Sequence, residues 1–145
     1  MSARQSIVNA LVTELKKING TGDFTSNVFD NVTPRHKFWD ECNDFPTICV
    51  VSGYETREYL PGDFRWGHLN ISLKLYVKGE DPSTELETLV SDVESILNIS
   101  DRITYSTSPL RETAKLTITS IATDEGLLVP YGIGEVNISI QYQVL

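Results

Sequence analysis

The residue types best suited to metal chemistry lie in one short stretch, where His36 precedes Asp40, Glu41 and Cys42. Imidazole, carboxylate and thiolate groups are the usual metal ligands of proteins. Their spacing matches no compact ligand motif, and the second histidine, His68, lies far along the chain. We interpret the stretch as a solvated acidic loop and predict no metal and no cofactor.

The remaining candidate chemical groups have ordinary structural explanations. His68, Ser72 and Lys74 alternate with apolar residues, as on the polar face of an antiparallel strand. The segment from Gly132 to Gly134 is too short for a phosphate-binding loop, and the carboxylates of Asp124-Glu125-Gly126 suit a turn. We find no catalytic constellation and predict that the protein is not an enzyme.

The composition restricts the class of protein further. The chain has 145 residues, of which 40% are hydrophobic and 22% charged, and a formal net charge of −8. We expect one globular domain over residues 1–145. Tight DNA binding needs a basic face, and the excess of acidic over basic residues disfavours one. The first residues include Arg4, Gln5 and Asn9, so we expect no secretory leader, no membrane span and free thiols at Cys42 and Cys49.

The elements that carry these residues follow from periodicity. Apolar residues at helical spacing predict helices over residues 2–18 and 81–97, and the Asp81-Pro82 pair is typical of a helix start. Strands are predicted at Thr47–Val51, bounded by Gly53, and over residues 66–77, where strict alternation separates a core face from a polar face. Shorter strands are possible over residues 28–32 and 103–105.

A hairpin over residues 116–145 closes the chain, with a period slip at Ser120-Ile121 that indicates a bulge. Its last strand repeats the tripeptide Asn-Ile-Ser, found at Asn70 and again at Asn137, which we attribute to strand composition. The order helix, hairpin, helix, hairpin predicts an α+β fold: two layers, with a mostly antiparallel (mixed) sheet covered by two helices.

Two loop regions carry apolar side chains that have no predicted core. We name them the hairpin patch, Tyr59, Leu60, Phe64 and Trp66, and the arm patch, Leu127, Leu128, Val129, Tyr131 and Ile133. A monomer seldom exposes this much apolar surface unless it meets a partner. The alternative is that both loops fold back as a lid on the sheet. We predict that the two patches are oligomer or partner interfaces.

Several segments of the sequence resemble those of one protein family. They are DFPTICVVSGYETREYL at residues 44–60, LNISLKLYVKG at residues 69–79, DPSTELETLVSDVESIL at residues 81–97 and the TDEG hairpin at residues 123–126. In this order, after a helix, they resemble the tail terminator (tail completion) proteins of long-tailed bacteriophages, the group of the lambda minor tail protein U.

The resemblance implies a structural virion protein at the head-tail junction, assembled in the host cytoplasm. It implies a hexameric ring that caps the tail tube protein, ends tube polymerisation and joins the head-tail connector or neck protein. DNA would pass through the bore without specific binding. We expect acidic residues to line that bore: Asp23, Asp30, Asp40, Glu41, Asp44, Glu55 and Glu58.

Other functions share the same features. A different head-tail joining or neck protein would have a similar size, acidity and lack of chemistry. A tail tube subunit would polymerise into long tubes, whereas a terminator would cap them. A small-ligand binding module or hydrolase is the alternative from a different class, and it would be favoured by tight binding of a metabolite.

Overall fold

The computed structural model describes residues 2–22, 24–28, 30–99 and 101–145. Its elements, in chain order, are α1 Ala3–Leu15, β1 Val32–Thr33, a 3-10 turn Trp39–Glu41, β2 Thr47–Leu60, β3 Phe64–Lys78, α2 Pro82–Ile99, β4 Thr104–Thr107, β5 Leu110–Glu112, β6 Lys115–Thr123 and β7 Tyr131–Val144. Among the described residues, no helix is long and apolar enough to cross a membrane.

The main sheet has the strand order β1-β2-β3-β7-β6. Only the β1–β2 pair is parallel, and the other neighbours are antiparallel. The predicted α+β class, with two helices and a mostly antiparallel mixed sheet, is confirmed. A separate two-stranded sheet, β4–β5, lies between α2 and β6 in the chain. The sequence predicted only a short strand there, because its residues are polar and lack alternation.

One face of the sheet packs against both helices. The alternating residues of β3 and β7 are buried and form one apolar cluster with the helices. Members of this cluster are Ile7, Leu11, Leu15, Leu69, Ile71, Leu73, Leu86, Leu89, Val93, Val136, Ile138 and Ile140. Both helix stripes predicted from helical spacing therefore lie on the predicted core face of β3 and β7.

The opposite face of β3 and β7 is polar along its middle, and the loop before β2 covers it at one end. Tyr76 lies on this face, yet only 4% of it is exposed because the loop before β2 covers it. Its hydroxyl donates to the Lys37 carbonyl at 2.7 Å, and burial raises the pKa of Tyr76 to about 12. Alternation along the strand predicted that Tyr76 is exposed to solvent. It is buried because the loop before β2 covers it.

The starts of both helices are capped by side chains, and the Asp81-Pro82 pair had indicated the cap of α2. Ser2 accepts from the Gln5 backbone N–H at 3.2 Å, and the Gln5 side chain accepts from the Ser2 backbone in return. Asp81 accepts from the Thr84 backbone N–H at 3.4 Å at the start of α2. These bonds satisfy donors that the first turn of a helix leaves free. α1 ends at Leu15, three residues before the predicted end at Ile18, which is nevertheless fully buried.

β2 is longer than the strand predicted before Gly53. It continues to Leu60, and the break at Gly53 takes the form of a register shift between Ser52 and Glu55. The glycine lies in a β-bulge, which interrupts the pairing locally without ending the strand. The predicted bulge in β6 is confirmed, since its register shifts between Ile118 and Ser120.

The repeated Asn-Ile-Ser tripeptides are direct partners. Asn70 lies opposite Ser139 and Ser72 opposite Asn137, so the two copies pair antiparallel along their whole length. The Ser72 hydroxyl donates to the Asn137 side chain at 2.6 Å. Coincidence of strand composition was therefore an incomplete explanation, because the repeat builds a cross-strand hydrogen bond at the centre of the sheet.

Candidate assembly surfaces

The hairpin patch lies at the turn between β2 and β3. Tyr59 is 69% exposed and Leu60 is 40% exposed. The rings of Phe64 and Trp66 pack edge to face at 5.1 Å, which holds them on one side of the turn. No lid over the sheet forms from this hairpin within the described residues, so its apolar side chains remain accessible to another molecule.

The arm patch divides into a loop and the start of a strand. Leu127 and Val129 are 81% and 64% exposed in the β6–β7 loop. Tyr131 and Ile133 belong to β7, and Tyr131 packs on Trp39 with ring centroids 4.7 Å apart. The sequence grouped all five residues in one loop without a core. For Tyr131 that grouping is wrong, because the loop before β2 supplies it with internal aromatic partners.

The two patches lie at opposite ends of the sheet. β3 and β7 pair from Arg65 with Val144 at one end to Lys78 with Tyr131 at the other. The β2–β3 turn adjoins the first end, and the β6–β7 loop adjoins the second. At about 3.4 Å per residue, the paired strands separate the patches by roughly 45 Å. Each molecule therefore presents two different apolar surfaces, well apart from each other.

The predicted bore residues separate into two groups. Asp30 is exposed just before β1, Asp40, Glu41 and Asp44 are exposed in the loop that precedes β2, and Glu58 is exposed near the hairpin turn. Asp23 lies outside the described residues. Asp30 and Asp44 both line one small cavity of about 130 Å³. The structure brings Asp30 and Asp44 to one cavity, keeps Asp40 and Glu41 in the segment before β2, and leaves Glu58 near the hairpin turn.

Glu55 does not belong with these exposed carboxylates. Its side chain is 6% exposed and forms ion pairs with Arg57 and, at 3.8 Å, with Arg4. The Tyr142 hydroxyl donates to it at 2.6 Å. Burial and this hydrogen bond to Glu55 raise the pKa of Tyr142 to about 12, so its phenol stays protonated. The Glu55 carboxylate, predicted to line a bore, is enclosed by its own partners in the described chain.

These partners form the wall of a cavity of about 430 Å³ at the hairpin end of the sheet. The start of α1, the ends of β2 and β7, and the β4–β5 hairpin surround it. Three arginines line it: Arg4, Arg57 and Arg111. Sequence reasoning missed this cavity, because the three residues are far apart along the chain and β5 was not predicted. We name it the arginine cavity.

No arrangement typical of an active site is present in the described part of the chain. No group of three or more metal-ligating side chains converges among these residues. His36 packs on Phe38 at 4.7 Å. Burial raises the pKa of both free thiols, Cys42 and Cys49, so neither is activated as a nucleophile.

The sheet also ends in two unpaired strand edges. Within the described ranges, β6 pairs only with β7, and β1 covers only Ile48 and Cys49 of the long strand β2. Unpaired edges offer backbone donors and acceptors to another chain. These stretches of β6 and β2 therefore lack a strand partner within the described chain.

Comparisons with known proteins identify the family. A family model described as Bacteriophage Tail Tube Terminator Protein matches residues 1–145. The tail tube terminator protein p142 of Escherichia phage T5 is 33% identical over 153 aligned residues, which cover 99% of this chain and 95% of that protein. A chain in the structure of a native gene transfer agent virion shares the fold, with a TM-score of 0.65 over 99% of both chains and 8% identity.

The family model covers the whole chain, and the T5 relative aligns along nearly all of it. The resemblance inferred from the sequence phrases is thereby confirmed, and it points to a structural protein of a phage tail. The protein belongs to the bacteriophage tail tube terminator family.

Proposed function

We propose that this protein forms a hexameric ring on the end of the tail tube, at the head-tail junction. The ring ends tube polymerisation by covering the surface on which the next tube ring would add. Its other side meets the head-tail connector or neck protein. Its role is structural, without a catalytic step, and it assembles in the host cytoplasm.

The main support for a ring is that each molecule has two different apolar patches at opposite ends of the sheet. Cyclic rings other than dimers need head-to-tail contacts, in which one surface of a subunit meets a different surface of its neighbour. The hairpin patch is mainly aromatic and the arm patch mainly aliphatic, so their different compositions suit such a contact. Exposed aromatic residues such as Tyr59 are typical anchors of protein interfaces.

Two features of the arm patch support a role in contacts. The backbone N–H of Gly79 donates to the Pro130 carbonyl at 3.0 Å, and that of Tyr131 donates to Leu128 at 2.8 Å. These bonds hold the loop in place before any partner arrives. A pre-ordered loop loses less conformational entropy on binding than a flexible one. Leu127 is therefore presented to a partner on a rigid support.

The charge of the protein suits a channel for DNA. A net charge of −8 repels the phosphate backbone. We propose that the exposed carboxylates that precede β2, Asp30, Asp40, Glu41 and Asp44, face the bore together with Glu58. DNA then slides past them without specific binding.

Electron microscopy of the purified protein, alone and mixed with tail tube protein, tests the proposal. We expect discrete six-fold rings and tubes of limited length that carry a ring at one end. The variant Tyr59→Ser/Leu127→Ser removes an exposed side chain from each patch and should abolish both. Ile99→Ser, a change at another exposed apolar residue (71%), is the matched control and should leave rings intact.

Two outcomes would contradict the proposal. If the protein stays monomeric under all conditions, including in the presence of tail tube protein, the proposal of a ring is wrong. Long tubes formed by this protein alone would indicate a tube subunit instead of a cap.

A further inference from the structure

The arginine cavity differs in charge from the rest of this acidic molecule. The chain carries 20 acidic and 12 basic side chains in total. The described residues that line the cavity include three arginines, two tyrosines and no aspartate or glutamate. The three arginines are half of the six in the chain. A cationic cavity in an anionic protein is a site for a negatively charged group.

The base of the cavity is already built in the described chain. The buried carboxylate of Glu55 accepts from Tyr142 at 2.6 Å and pairs with Arg57 and Arg4. Arg4 also donates to the Gly53 carbonyl at 2.6 Å, which fixes its side chain across the bulge of β2. One carboxylate thus orients two guanidinium groups and neutralises only part of their charge. A further anion can bind the donors that remain.

The third arginine completes the cavity from a different element. Arg111 lies on β5, and within the described residues no ion pair or hydrogen bond involves its guanidinium group. The start of α1 opens on the same space through Ala3 and adds the partial positive charge of a helix amino end. Three elements that are distant in sequence therefore direct positive charge into one cavity.

The chemistry of the wall favours a carboxylate on a peptide segment. Val144, Leu145 and the ring of Tyr105 supply apolar surface beside the guanidinium groups. A segment with an acidic side chain next to apolar residues matches both parts of this wall. Its most available source is a second copy of this chain, since a ring brings copies together.

The segment that fits this description is the turn at the other end of the sheet. Glu125 is exposed at a left-handed position (φ 58°), and Leu127, 81% exposed, follows it. The turn is held by bonds from the Gly126 N–H to the Asp124 side chain at 3.3 Å and from the Leu127 N–H to the Asp124 carbonyl at 3.2 Å. It presents one free carboxylate beside an apolar side chain.

We propose that the arginine cavity is a carboxylate-binding site, and that its ligand is the Glu125 side chain of the neighbouring copy in the ring. Arg111 pairs with this carboxylate at the rim, and Leu127 packs against the apolar wall. This contact joins opposite ends of successive sheets, so it is head-to-tail. It deepens the proposed function and rests on the ring that function requires.

A charge-swap experiment with full-length protein tests the contact. Arg111→Glu and Glu125→Arg each place like charges in every contact of a ring. We expect each variant alone to need at least about ten-fold more protein to form rings, because attraction becomes repulsion. A one-to-one mixture of the two variants restores opposite charges in an alternating ring, which an even number of subunits permits. Rings in the mixture should form near the wild-type concentration.

The controls keep folding and general charge effects apart from the contact. Arg102→Glu and Glu87→Arg make the same changes at exposed positions outside the cavity and the turn, and they should form rings as the wild type does. Far-ultraviolet circular dichroism of each variant checks that the fold is intact. Mass photometry and electron microscopy measure the fraction of protein in rings.

Each other outcome has a definite meaning. If the wild type forms rings and both single variants do so equally well, the contact is wrong and the ring stands. The contact is also wrong if the mixture fails to restore rings. If the wild type forms no ring even with tube present, the proposed ring fails, and this inference fails with it.

Discussion

Gly132 shows how a single residue sets the distance between the helix layer and the sheet. A Cβ atom at this position would lie 2.7 Å from a Val77 methyl group and 3.0 Å from the Pro82 backbone carbonyl. At Gly134 it would lie 3.0 Å from a Leu86 methyl group. These glycines let the start of α2 approach β7 closely.

We predict that Gly132→Ala destabilises the protein by about 1–3 kcal/mol, because a backbone carbonyl cannot move aside as a side chain can. Gly53→Ala is the control, since a Cβ there meets only the Asn70 carbonyl at an ordinary 3.4 Å. Both changes restrict the unfolded chain equally, so that effect cancels in the comparison. Urea denaturation gives the free energies of unfolding. Equal values for the two variants would show that the close approach at Gly132 is unimportant.

At the scale of elements, the β4–β5 hairpin was predicted only in part, since a short strand was expected near β4 and none at β5. It is fixed to the molecule by Thr113, which is only 2% exposed. The Thr113 hydroxyl accepts from the Ile103 backbone N–H at 2.8 Å, and the Thr113 N–H donates to the Ile103 carbonyl at 2.9 Å. This reciprocal pair closes the hairpin that carries Arg111 into the arginine cavity.

Replacement of Thr113 by valine should loosen this hairpin. Thr113→Val keeps the shape but leaves the buried Ile103 N–H without its acceptor, at a cost of about 1–3 kcal/mol. Thr113→Ser retains the hydroxyl and should keep most of the stability. Hydrogen exchange at the Ile103 amide, together with thermal unfolding, measures the effect. Unchanged exchange in the valine variant would mean that another group satisfies this amide.

At the scale of the whole molecule, the distribution of charge matters more than its total. The loop before β2 gathers acidic residues at the arm end, whereas three arginines converge at the hairpin end. Opposite ends of the sheet thus differ in both apolar residues and charge. A molecule with such polarity is suited to repeated head-to-tail contacts.

We predict that a lysine variant of this loop holds DNA. Asp40→Lys, Glu41→Lys and Asp44→Lys each change the charge by two units, so the net charge goes from −8 to −2. If these residues face the bore, phosphate contacts form and DNA passage slows, which should lower infectivity and give salt-dependent DNA binding by isolated rings. Gel shift and ejection assays measure both effects.

The matched control places the same charge change elsewhere on the surface. Glu87→Lys, Glu94→Lys and Glu112→Lys lie on α2 and β5, away from the loop. This control should bind DNA less well than the loop variant. Similar DNA binding and infectivity for the two triple variants would argue against a bore lined by this loop.

The sequence by itself determined the helices, the long strands and their core faces. Helical spacing and strict alternation are local patterns, and Leu69, Ile71 and Leu73 fall where alternation predicts. The family could also be inferred from several sequence segments and the order in which they occur. Exposed apolar side chains at Tyr59 and Leu127 were recognisable because each lies within a few residues of a turn.

Only the tertiary structure decided which distant residues meet. Arg4, Arg57 and Arg111 share one cavity because α1, β2 and a short hairpin converge there, and no local pattern encodes that convergence. The same holds for Glu55, which looked like an exposed carboxylate and is buried among its own partners. Periodicity reports which side of an element faces the core. Packing between elements determines which polar groups lie together.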